Sequence, residues 1–234
     1  MRNLAAIVVG SALLASCTTS DDIGPGSATT VPPAETAVEN TLSAHAEYTA
    51  PKPGTMLTLT SVFKGEEDSE INQLVVASGQ DYAIYANILD DGLQGPGDFF
   101  IEYSGLYWQE CGLPPLTDYQ RRKLVELWPL QPGDAVQLPY QGDLSQMMDI
   151  EVVGWAETST ARLGDLDVVK ILNSYAERDY STFSPRLGVS VRIDWGEPGT
   201  DGHLGYDELT AIKQVNLAEY AEYSQIATSA CLGG

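Results

Sequence analysis

Residues 188–195 read GVSVRIDW, and the alternation in this stretch is the clearest sign of the fold class. In an extended strand its apolar residues would share one face, and they are Val189, Val191, Ile193 and Trp195. Its polar residues would share the opposite face, and they are Ser190, Arg192 and Asp194. Period-two alternation is typical of an antiparallel strand that has one face in water. The stretch therefore predicts such a strand.

Similar alternating runs recur along the chain, separated by Gly, Pro and Asp residues. They occupy residues 56–63, 81–88, 98–108, 148–155 and 166–172. Short alternating runs with turn residues between them are typical of all-β proteins. The sequence therefore predicts a mainly-β fold, namely an antiparallel sheet, a sandwich or a partial barrel, with one short helix.

The predicted helix begins near residue 117, between two of the strands. Thr117 and Asp118 are residues that commonly cap helices. The positions at helical spacing are Tyr119 or Gln120, Lys123 and Leu127. Pro129 ends the helix, because proline disfavours helical conformation in the residue before it. A second stretch, residues 217–231, fits either a helix or an edge strand, and its Ala and Glu content favours a helix.

The first sixteen residues have the features of an export signal. Arg2 is positively charged, and the thirteen residues 4–16 are apolar or small. As a helix they would span about 20 Å, which is too short for a hydrocarbon core of about 30 Å. They fit the apolar core of a signal peptide instead.

Leu14-Ala15-Ser16-Cys17 closes this segment and resembles the lipobox of bacterial lipoproteins. The resemblance implies cleavage before Cys17, attachment of lipid (including palmitate) to that cysteine, and anchoring to a membrane on its periplasmic face. Thr18 follows the cysteine, which by the same resemblance favours the outer membrane over the inner membrane. The alternative is an ordinary secretory signal that happens to end near a cysteine.

The composition divides the chain into four parts. Residues 1–16 are the predicted signal peptide, and residues 17–53 are a tether rich in Thr, Ser, Ala and Pro that could build no core. Residues 54–215 are the predicted mainly-β domain. Residues 216–234 are a C-terminal segment that we expect to pack on this domain.

Four short motifs carry a second resemblance. They are WPLQPG at residues 128–133, VVG at 152–154, GDLDVVK at 164–170 and FSPRLG at 183–188. Their order and spacing resemble those of a group of uncharacterised β-rich periplasmic proteins and lipoproteins from proteobacteria. Leu166 stands where that group often has Phe. The resemblance covers residues 54–195 and rests on turn residues, so it implies a β-rich fold and no activity.

Cys111 and Cys231 are the two cysteines that remain after Cys17. In the oxidising periplasm one intramolecular disulfide between them is the favoured interpretation. Two free thiols or an intermolecular pair are the alternatives. No His or Cys lies beside either residue, which argues against a metal or redox role.

The charge excludes one class of partner. The chain has 33 acidic and 12 basic residues and a net charge of −21, and its densest positive run is only Arg121-Arg122-Lys123. Nucleic-acid binding needs clustered Lys and Arg, so it is not expected. The two histidines, His45 and His203, are too few for a multi-histidine metal site or a His-based triad. We therefore predict no metal and no cofactor.

Acidic residues cluster at three places. The richest cluster surrounds His203 and contains Asp194, Asp201, Asp207 and Glu208. A calcium loop needs oxygen ligands at alternating positions, and here a histidine falls at one of them. We interpret this cluster as a solvated hairpin loop, and residues 66–68 and 90–92 as turns.

Aromatic residues are concentrated in residues 98–108, on one predicted strand. Phe100, Tyr103 and Trp108 are candidates for a ligand-binding face, because amphipathic aromatic side chains on a concave sheet bind sugars or lipid tails. The alternative is that they fill the core, which is common in β-strands and is the interpretation we favour.

Three functional hypotheses follow from the sequence. The first is a non-catalytic module that is held at the membrane by covalent lipid and binds an envelope protein or another partner. The second is a half-barrel that binds a lipid or another hydrophobic ligand, which requires an apolar pocket of several hundred Å³. The third is a polysaccharide hydrolase that uses two carboxylates, as glycosidases do. Because no catalytic motif is present, we do not expect an enzyme.

Overall fold

A computed structural model describes residues 47–88, 98–160, 163–175 and 178–233. These residues form eleven strands, two α-helices and one 3₁₀ turn, Leu217–Tyr220. The strands are β1 (Thr55–Phe63), β2 (Ser69–Ser78), β3 (Tyr82–Ile88), β4 (Phe99–Tyr103), β5 (Tyr107–Glu110), β6 (Ala135–Tyr140), β7 (Asp143–Thr160), β8 (Gly164–Ser174), β9 (Arg178–Ser184), β10 (Val189–Trp195) and β11 (Gly205–Gln214). The helices are α1 (Asp118–Val125) and α2 (Ala221–Leu232).

The strands form a single sheet in the order β5-β4-β3-β2-β1-β11-β10-β9-β8-β7-β6. Every neighbouring pair is antiparallel. The pair β1–β11 joins the two halves at the centre of the sheet. The predicted mainly-β, antiparallel fold is confirmed. Strands β2, β6, β9 and β11 are additions to the strands that the sequence predicted.

The sheet curls until its two edge strands, β5 and β6, come together. The hydroxyl of Tyr107 on β5 donates a hydrogen bond to the carbonyl oxygen of Pro139 on β6, 2.8 Å away. The Glu110 N–H donates to Oε1 of Gln141, 3.1 Å away. Among the architectures predicted from the sequence, the curled sheet is therefore a partial barrel.

The predicted strand at residues 98–108 is divided into a hairpin of two strands, β4 and β5. Ser104 and Gly105, between them, both have positive φ, 54° and 70°. Two consecutive residues in this conformation make the tight turn that matches the twist of antiparallel strands. The apolar alternation continues on both sides of this turn, and for that reason the pattern predicted one strand instead of two.

Helix α1 begins as the sequence predicted and ends two residues earlier. The Thr117 hydroxyl oxygen accepts a hydrogen bond from the Gln120 N–H, and the Gln120 side-chain oxygen accepts one from the Thr117 N–H. Such reciprocal capping stabilises a helix start. The helix ends at Val125, not at Leu127, and its buried residue is Leu124, which lies outside the face that was predicted.

Helix α2 packs on β2, β3 and β4, so the helical alternative for the C-terminal segment is the one that the structure shows. Ala227 is fully buried in this contact, and Ser224 Oγ donates a hydrogen bond to the Val76 carbonyl oxygen. A disulfide between Cys231 and Cys111 holds the end of the helix to the segment after β5.

Strand β10 departs from the simple alternation of residues 188–195. Its pairing with β9 shifts between Ser190 and Arg192, which marks a β-bulge. Asp194, predicted to face water, is buried at 5% exposure. Its carboxylate accepts hydrogen bonds from Arg192 and lies 3.3 Å from Nε2 of His203. The predicted wet face is therefore wrong for Asp194, because an ion pair allows its burial.

The acidic clusters fall largely at turns. Residues 66–68 connect β1 to β2, and residues 196–204 connect β10 to β11. Asp207 and Glu208, which were assigned to this last loop, lie within β11 instead. Residues 1–16, Cys17, His45 and residues 90–92 lie outside the described residues, as does the tether up to residue 46.

Candidate functional site

Two adjoining cavities lie within the curl of the sheet, with volumes of about 310 and 240 Å³. Every one of the eleven strands contributes a lining residue, as expected when one sheet curls around a common space. We name them the tyrosine lobe, lined by Tyr107, Tyr140 and Tyr175, and the leucine lobe, lined by Leu57 and Leu59.

The two lobes adjoin at five residues that line both of them. These are Glu102, Trp108, Ser190, Ile193 and Trp195. The bulge in β10 explains the unexpected member of this set. Strict alternation would place Ser190 on the face opposite Ile193 and Trp195. The bulge between Ser190 and Arg192 adds one residue to the strand, so that Ser190 lies on the same face as Ile193 and Trp195.

Aromatic rings form one wall of the leucine lobe. Tyr85 and Phe100 stack in parallel with their ring centroids 4.8 Å apart. Trp108 meets Phe100 edge to face at 6.4 Å. The pairing of β3 with β4 and of β4 with β5 brings these rings to the same face. Their π faces and edges are therefore held in fixed positions at this wall.

The tyrosine lobe is closed on one side by a second aromatic stack. Tyr140, at the end of β6, stacks on Tyr175 with the centroids 4.2 Å apart, and Tyr175 is 42% exposed. Met148 of β7 lines the same lobe and is buried. This lobe therefore extends from the buried interior to a solvent-exposed ring.

Glu102 is the ionisable group where the lobes adjoin. The Tyr85 hydroxyl donates a hydrogen bond to its carboxylate over 3.1 Å. Burial raises the pKa of the Glu102 carboxyl to about 7, and the hydrogen bond from Tyr85 opposes this rise. Near neutral pH the carboxyl is therefore poised between its two charge states. Nothing in the sequence distinguishes Glu102 from the many other acidic residues.

Asp207 supplies a second carboxylate to the leucine lobe. The residue is only 8% exposed. Its Oδ2 accepts a hydrogen bond from the indole Nε1 of Trp195, 2.9 Å away. Its Oδ1 is buried and has no hydrogen-bond partner among the described residues. A buried acceptor without a partner is costly, so it needs a physical explanation.

Two side-chain amide oxygens of lining residues also lack a hydrogen-bond partner among the described residues. Asn87 lines the leucine lobe and Asn173 lines the tyrosine lobe, and the Oδ1 of each is buried without a partner in the described part of the chain. Together with Asp207, they give each lobe at least one lining residue whose buried side-chain acceptor is unpaired.

The ligand-binding face predicted from the sequence is only partly brought together. Phe100 and Trp108 line the leucine lobe. Tyr103 lines neither lobe and packs in the buried cluster that contains Leu124, with the Arg121 guanidinium 5.8 Å from its ring centroid. Since Phe100 and Tyr103 are an odd number of positions apart on one strand, their side chains point to opposite faces. Tyr103 is therefore not part of this site.

The cysteines lie away from the cavities. Cys111 and Cys231 are buried in the cluster under α2 and line neither lobe. In the described ranges no group of three or more His, Cys, Asp or Glu side chains could hold a metal ion. No helix within those same ranges is long and apolar enough to cross a membrane.

Comparison with known proteins yields structural similarities alone. No family model matches the chain, and no curated protein matches it. The crystal structure of MucB is 15% identical, with 79% of this chain and 60% of that chain covered and a TM-score of 0.32. A LolA superfamily protein from Nitrosomonas europaea is 8% identical, with 80% and 96% covered and a TM-score of 0.28. The chain thus spans less than two thirds of the length of MucB. Similarities this weak carry no functional conclusion.

Proposed function

We propose that this protein is a lipid-anchored periplasmic binding protein that holds a small hydrophobic ligand within its curled sheet. The observation that carries the proposal is the pair of adjoining cavities to which all eleven strands contribute. Of the three hypotheses drawn from the sequence, this is the half-barrel with an apolar pocket.

The dimensions and lining of the cavities support this function. Small-molecule sites are typically concave, about 300–1,000 Å³ in volume, and mainly apolar with a few polar groups that fix orientation. The two lobes together fall within this range. Apolar and aromatic side chains form most of the lining, and Glu102, Asn87 and Asp207 supply polar groups.

The packing of the rest of the domain supports a cavity that persists without ligand. The larger hydrophobic cluster extends well beyond the lobes, and Leu74, Ile84, Ile101 and Leu124 within it line neither lobe and are at 0–1% exposure. Stability therefore does not require the lobes to collapse. Aromatic residues that could have filled the core, such as Trp108 and Trp195, are instead only partly buried at the cavity wall.

The location in the cell is the part of the proposal that rests on the sequence. The lipobox Leu14-Ala15-Ser16-Cys17 would anchor the chain to the outer membrane, and residues 18–53 would space the domain from it. A ligand that is poorly soluble in water would be encountered at such a surface.

We do not propose the hydrolase, because the sequence contains no catalytic motif. Glu102 accepts from Tyr85, Asp207 from Trp195, and Asp179 from the Gly196 N–H. Groups held in this way suit ligand orientation. We therefore assign the carboxylates to binding, and incubation of the protein with envelope glycans tests the assignment by product release.

A fluorescent hydrophobic probe tests the proposal. The mature chain, residues 17–234, would carry Cys17→Ser so that no lipid is attached, and it would be titrated with N-phenyl-1-naphthylamine. We expect saturable fluorescence enhancement with one probe bound per chain. Ser190→Trp would fill the space where the lobes adjoin and abolish the enhancement.

Ser69→Trp is the matched control, because Ser69 is exposed at the start of β2. It should leave the titration unchanged. Circular dichroism and thermal melting check that the Ser190 variant is folded, and Trp108→Ala gives a second variant that enlarges the cavity. Linear, unsaturable enhancement, or equal binding by the Ser190 and Ser69 variants, would contradict the proposed function.

A further inference from the structure

We propose that the ligand is an organic cation, an amine or quaternary ammonium group on an aromatic or aliphatic body, held between the aromatic wall and the carboxylates of the two lobes. The inference rests on the proposed function and names the chemical class of its ligand. It follows from three features of the cavity: the sign of its lining charges, an acceptor without a partner, and the aromatic rings in its wall.

All ionisable groups with a formal charge that line the two lobes are acidic. They are Glu102, Glu110, Asp179 and Asp207. Among the described lining residues there is no Lys, Arg or His. A lipid headgroup or fatty acid with a negative charge would thus meet carboxylates and, in the described part of the lining, no basic side chain to pair with it. Burial of an unpaired charge is strongly unfavourable, so anionic ligands are selected against.

The basic side chains of Arg192 and Lys170 contact other groups and do not neutralise the acidic lining. The Arg192 guanidinium lies 3.8 Å from the ring centroid of Tyr206 and pairs with Asp194. The Lys170 ammonium lies 4.4 Å from the Tyr180 ring centroid. Each of these two cations covers a tyrosine that lines neither lobe. The cavity is therefore acidic within its own lining.

Asp207 gives the second, independent indication. The side chain is more than nine-tenths buried, and its Oδ2 is fixed by the Trp195 indole N–H. Oδ1 is buried and remains without a donor among the described residues, on a side chain that lines the leucine lobe. An ammonium group in the lobe would supply the missing donor or countercharge, whereas a neutral hydrocarbon would leave this oxygen unsatisfied.

The aromatic wall provides the complementary surface for a cation. A positive charge over the face of Trp or Tyr is attracted by the ring quadrupole, and the attraction grows when the site is desolvated. Trp108 and Trp195 line both lobes, and Tyr85 and Phe100 line the leucine lobe beside them. Carboxylates and ring faces within one cavity are the combination that recognises quaternary ammonium groups.

Glu102 makes the binding dependent on pH. The titratable groups that line the two lobes with Glu102 are Tyr85, Tyr107, Glu110, Tyr140, Tyr175, Asp179 and Asp207. Tyr48, in the segment before β1, interacts with Glu102 through charge but lines neither lobe. None of them is basic. Because burial places the pKa of Glu102 at about 7, its charge is lost below that pH, and a cation should then bind more weakly.

Two probes of the same shape separate charge from hydrophobicity. Phenyltrimethylammonium and tert-butylbenzene differ by a positively charged nitrogen in place of a carbon. Both would be titrated into the mature chain with Cys17→Ser at pH 8, with binding followed by ligand-observed NMR. We expect the cation to bind at least about tenfold more tightly than the neutral isostere. Its affinity should fall at pH 5 while that of tert-butylbenzene stays constant.

The outcomes distinguish this inference from the proposed function. If tert-butylbenzene binds as well as the cation or better, the organic-cation inference is wrong and the hydrophobic site stands. If neither probe binds, both the organic-cation inference and the proposed function are wrong. Benzenesulfonate is the anionic comparison, and its binding at an affinity equal to that of the cation would also overturn the inference.

Variants locate the effect at the carboxylates. Asp207→Asn and Glu102→Gln should each reduce the preference for the cation several-fold and leave tert-butylbenzene binding intact. Glu208→Gln removes the same charge from the neighbouring position on β11, whose side chain faces away from Asp207, and should change nothing. Where Asp207→Asn fails to fold, Glu102→Gln and the pH series on the unsubstituted cavity still decide the question. An unchanged preference in both carboxylate variants would contradict the inference.

Discussion

The hydroxyl of Tyr85 on β3 donates a hydrogen bond to the carboxylate of Glu102 on β4, 3.1 Å away, at the place where the two lobes of the cavity adjoin. The stack of Phe100 on Tyr85 holds the donor ring in place. This contact couples an aromatic wall to an ionisable group, and both the stability of the fold and the chemistry of the site depend on it.

Glu102→Gln should stabilise the protein at high pH. In the unfolded chain the carboxyl ionises near its ordinary pKa, whereas in the folded protein burial raises that pKa to about 7. The folded state thus binds the extra proton, and its stability falls as pH rises from about 4.5 to about 7. Gln carries no charge and still accepts from Tyr85. We compare the free energy of unfolding of the variant with that of the unsubstituted protein, measured with urea. The difference in favour of the variant should be about 1–3 kcal/mol larger at pH 8 than at pH 4.5.

Glu66→Gln, in the exposed turn between β1 and β2, is the control for this experiment. It removes one carboxylate from the chain without touching the cavity. Equal pH dependence in the Glu66 and Glu102 variants would show that burial of Glu102 has no thermodynamic effect.

Gly105→Ala should destabilise the fold more than a comparable glycine substitution. Gly105 has φ of 70°, and a Cβ there would lie 2.5 Å from the ring of Phe183, which is fully buried. Gly133 has φ of 90° but no atom within 4 Å of its added Cβ. Both variants carry backbone strain, so their difference measures the clash. We expect about 1–3 kcal/mol between them in denaturant titrations, and equal losses would argue against this close approach.

Removal of the disulfide should cost about 2–5 kcal/mol of stability. Cys111 and Cys231 are separated by 120 residues, so their bond restricts a long loop in the unfolded chain. The double variant Cys111→Ala and Cys231→Ala would be compared with the oxidised protein by urea unfolding. Dithiothreitol should lower the stability of the oxidised protein only. A dithiothreitol-insensitive stability would mean that the two thiols are unbonded in solution.

Cys17→Ser should abolish metabolic labelling with radioactive palmitate. The proposed thioether needs the cysteine sulfur, and serine cannot supply it. Cells expressing the unsubstituted chain should give a labelled band that partitions with outer-membrane vesicles. Persistent label in the Cys17→Ser chain would exclude the lipobox interpretation.

Much of the fold could be predicted from the sequence because its strands have strong local patterns. Residues 148–152 alternate between apolar and acidic side chains and lie in β7, and the largely apolar run at residues 166–172 lies in β8. The strands that were missed lack this pattern. In β9 the sequence RDYSTFS contains mostly polar residues, and β11 begins inside a run of acidic and glycine residues. Pairing with neighbouring strands overrides their weak propensity.

The candidate site could be predicted only in part. Phe100 and Trp108 were selected for their residue type, and the structure places both at one wall. Strand alternation alone is enough to separate Tyr103 from Phe100, because residues three positions apart point to opposite faces. Glu102 and Asp207 could not have been selected, because their surroundings in the cavity come from strands far apart in sequence. The β10 bulge that turns Ser190 towards the cavity has no local signature.

The position of a bound hydrophobic probe, measured by NMR, decides whether the curled sheet holds a ligand. The mature chain with Cys17→Ser and methyl-labelled Leu and Ile would be mixed with tert-butylbenzene, and intermolecular NOEs would be recorded. We predict NOEs from the tert-butyl group to the methyl groups of Leu59 and Ile193, which line the cavity. NOEs confined to the exposed methyl groups of Leu144 and Leu204, at 78% and 46% exposure, would contradict binding within the sheet.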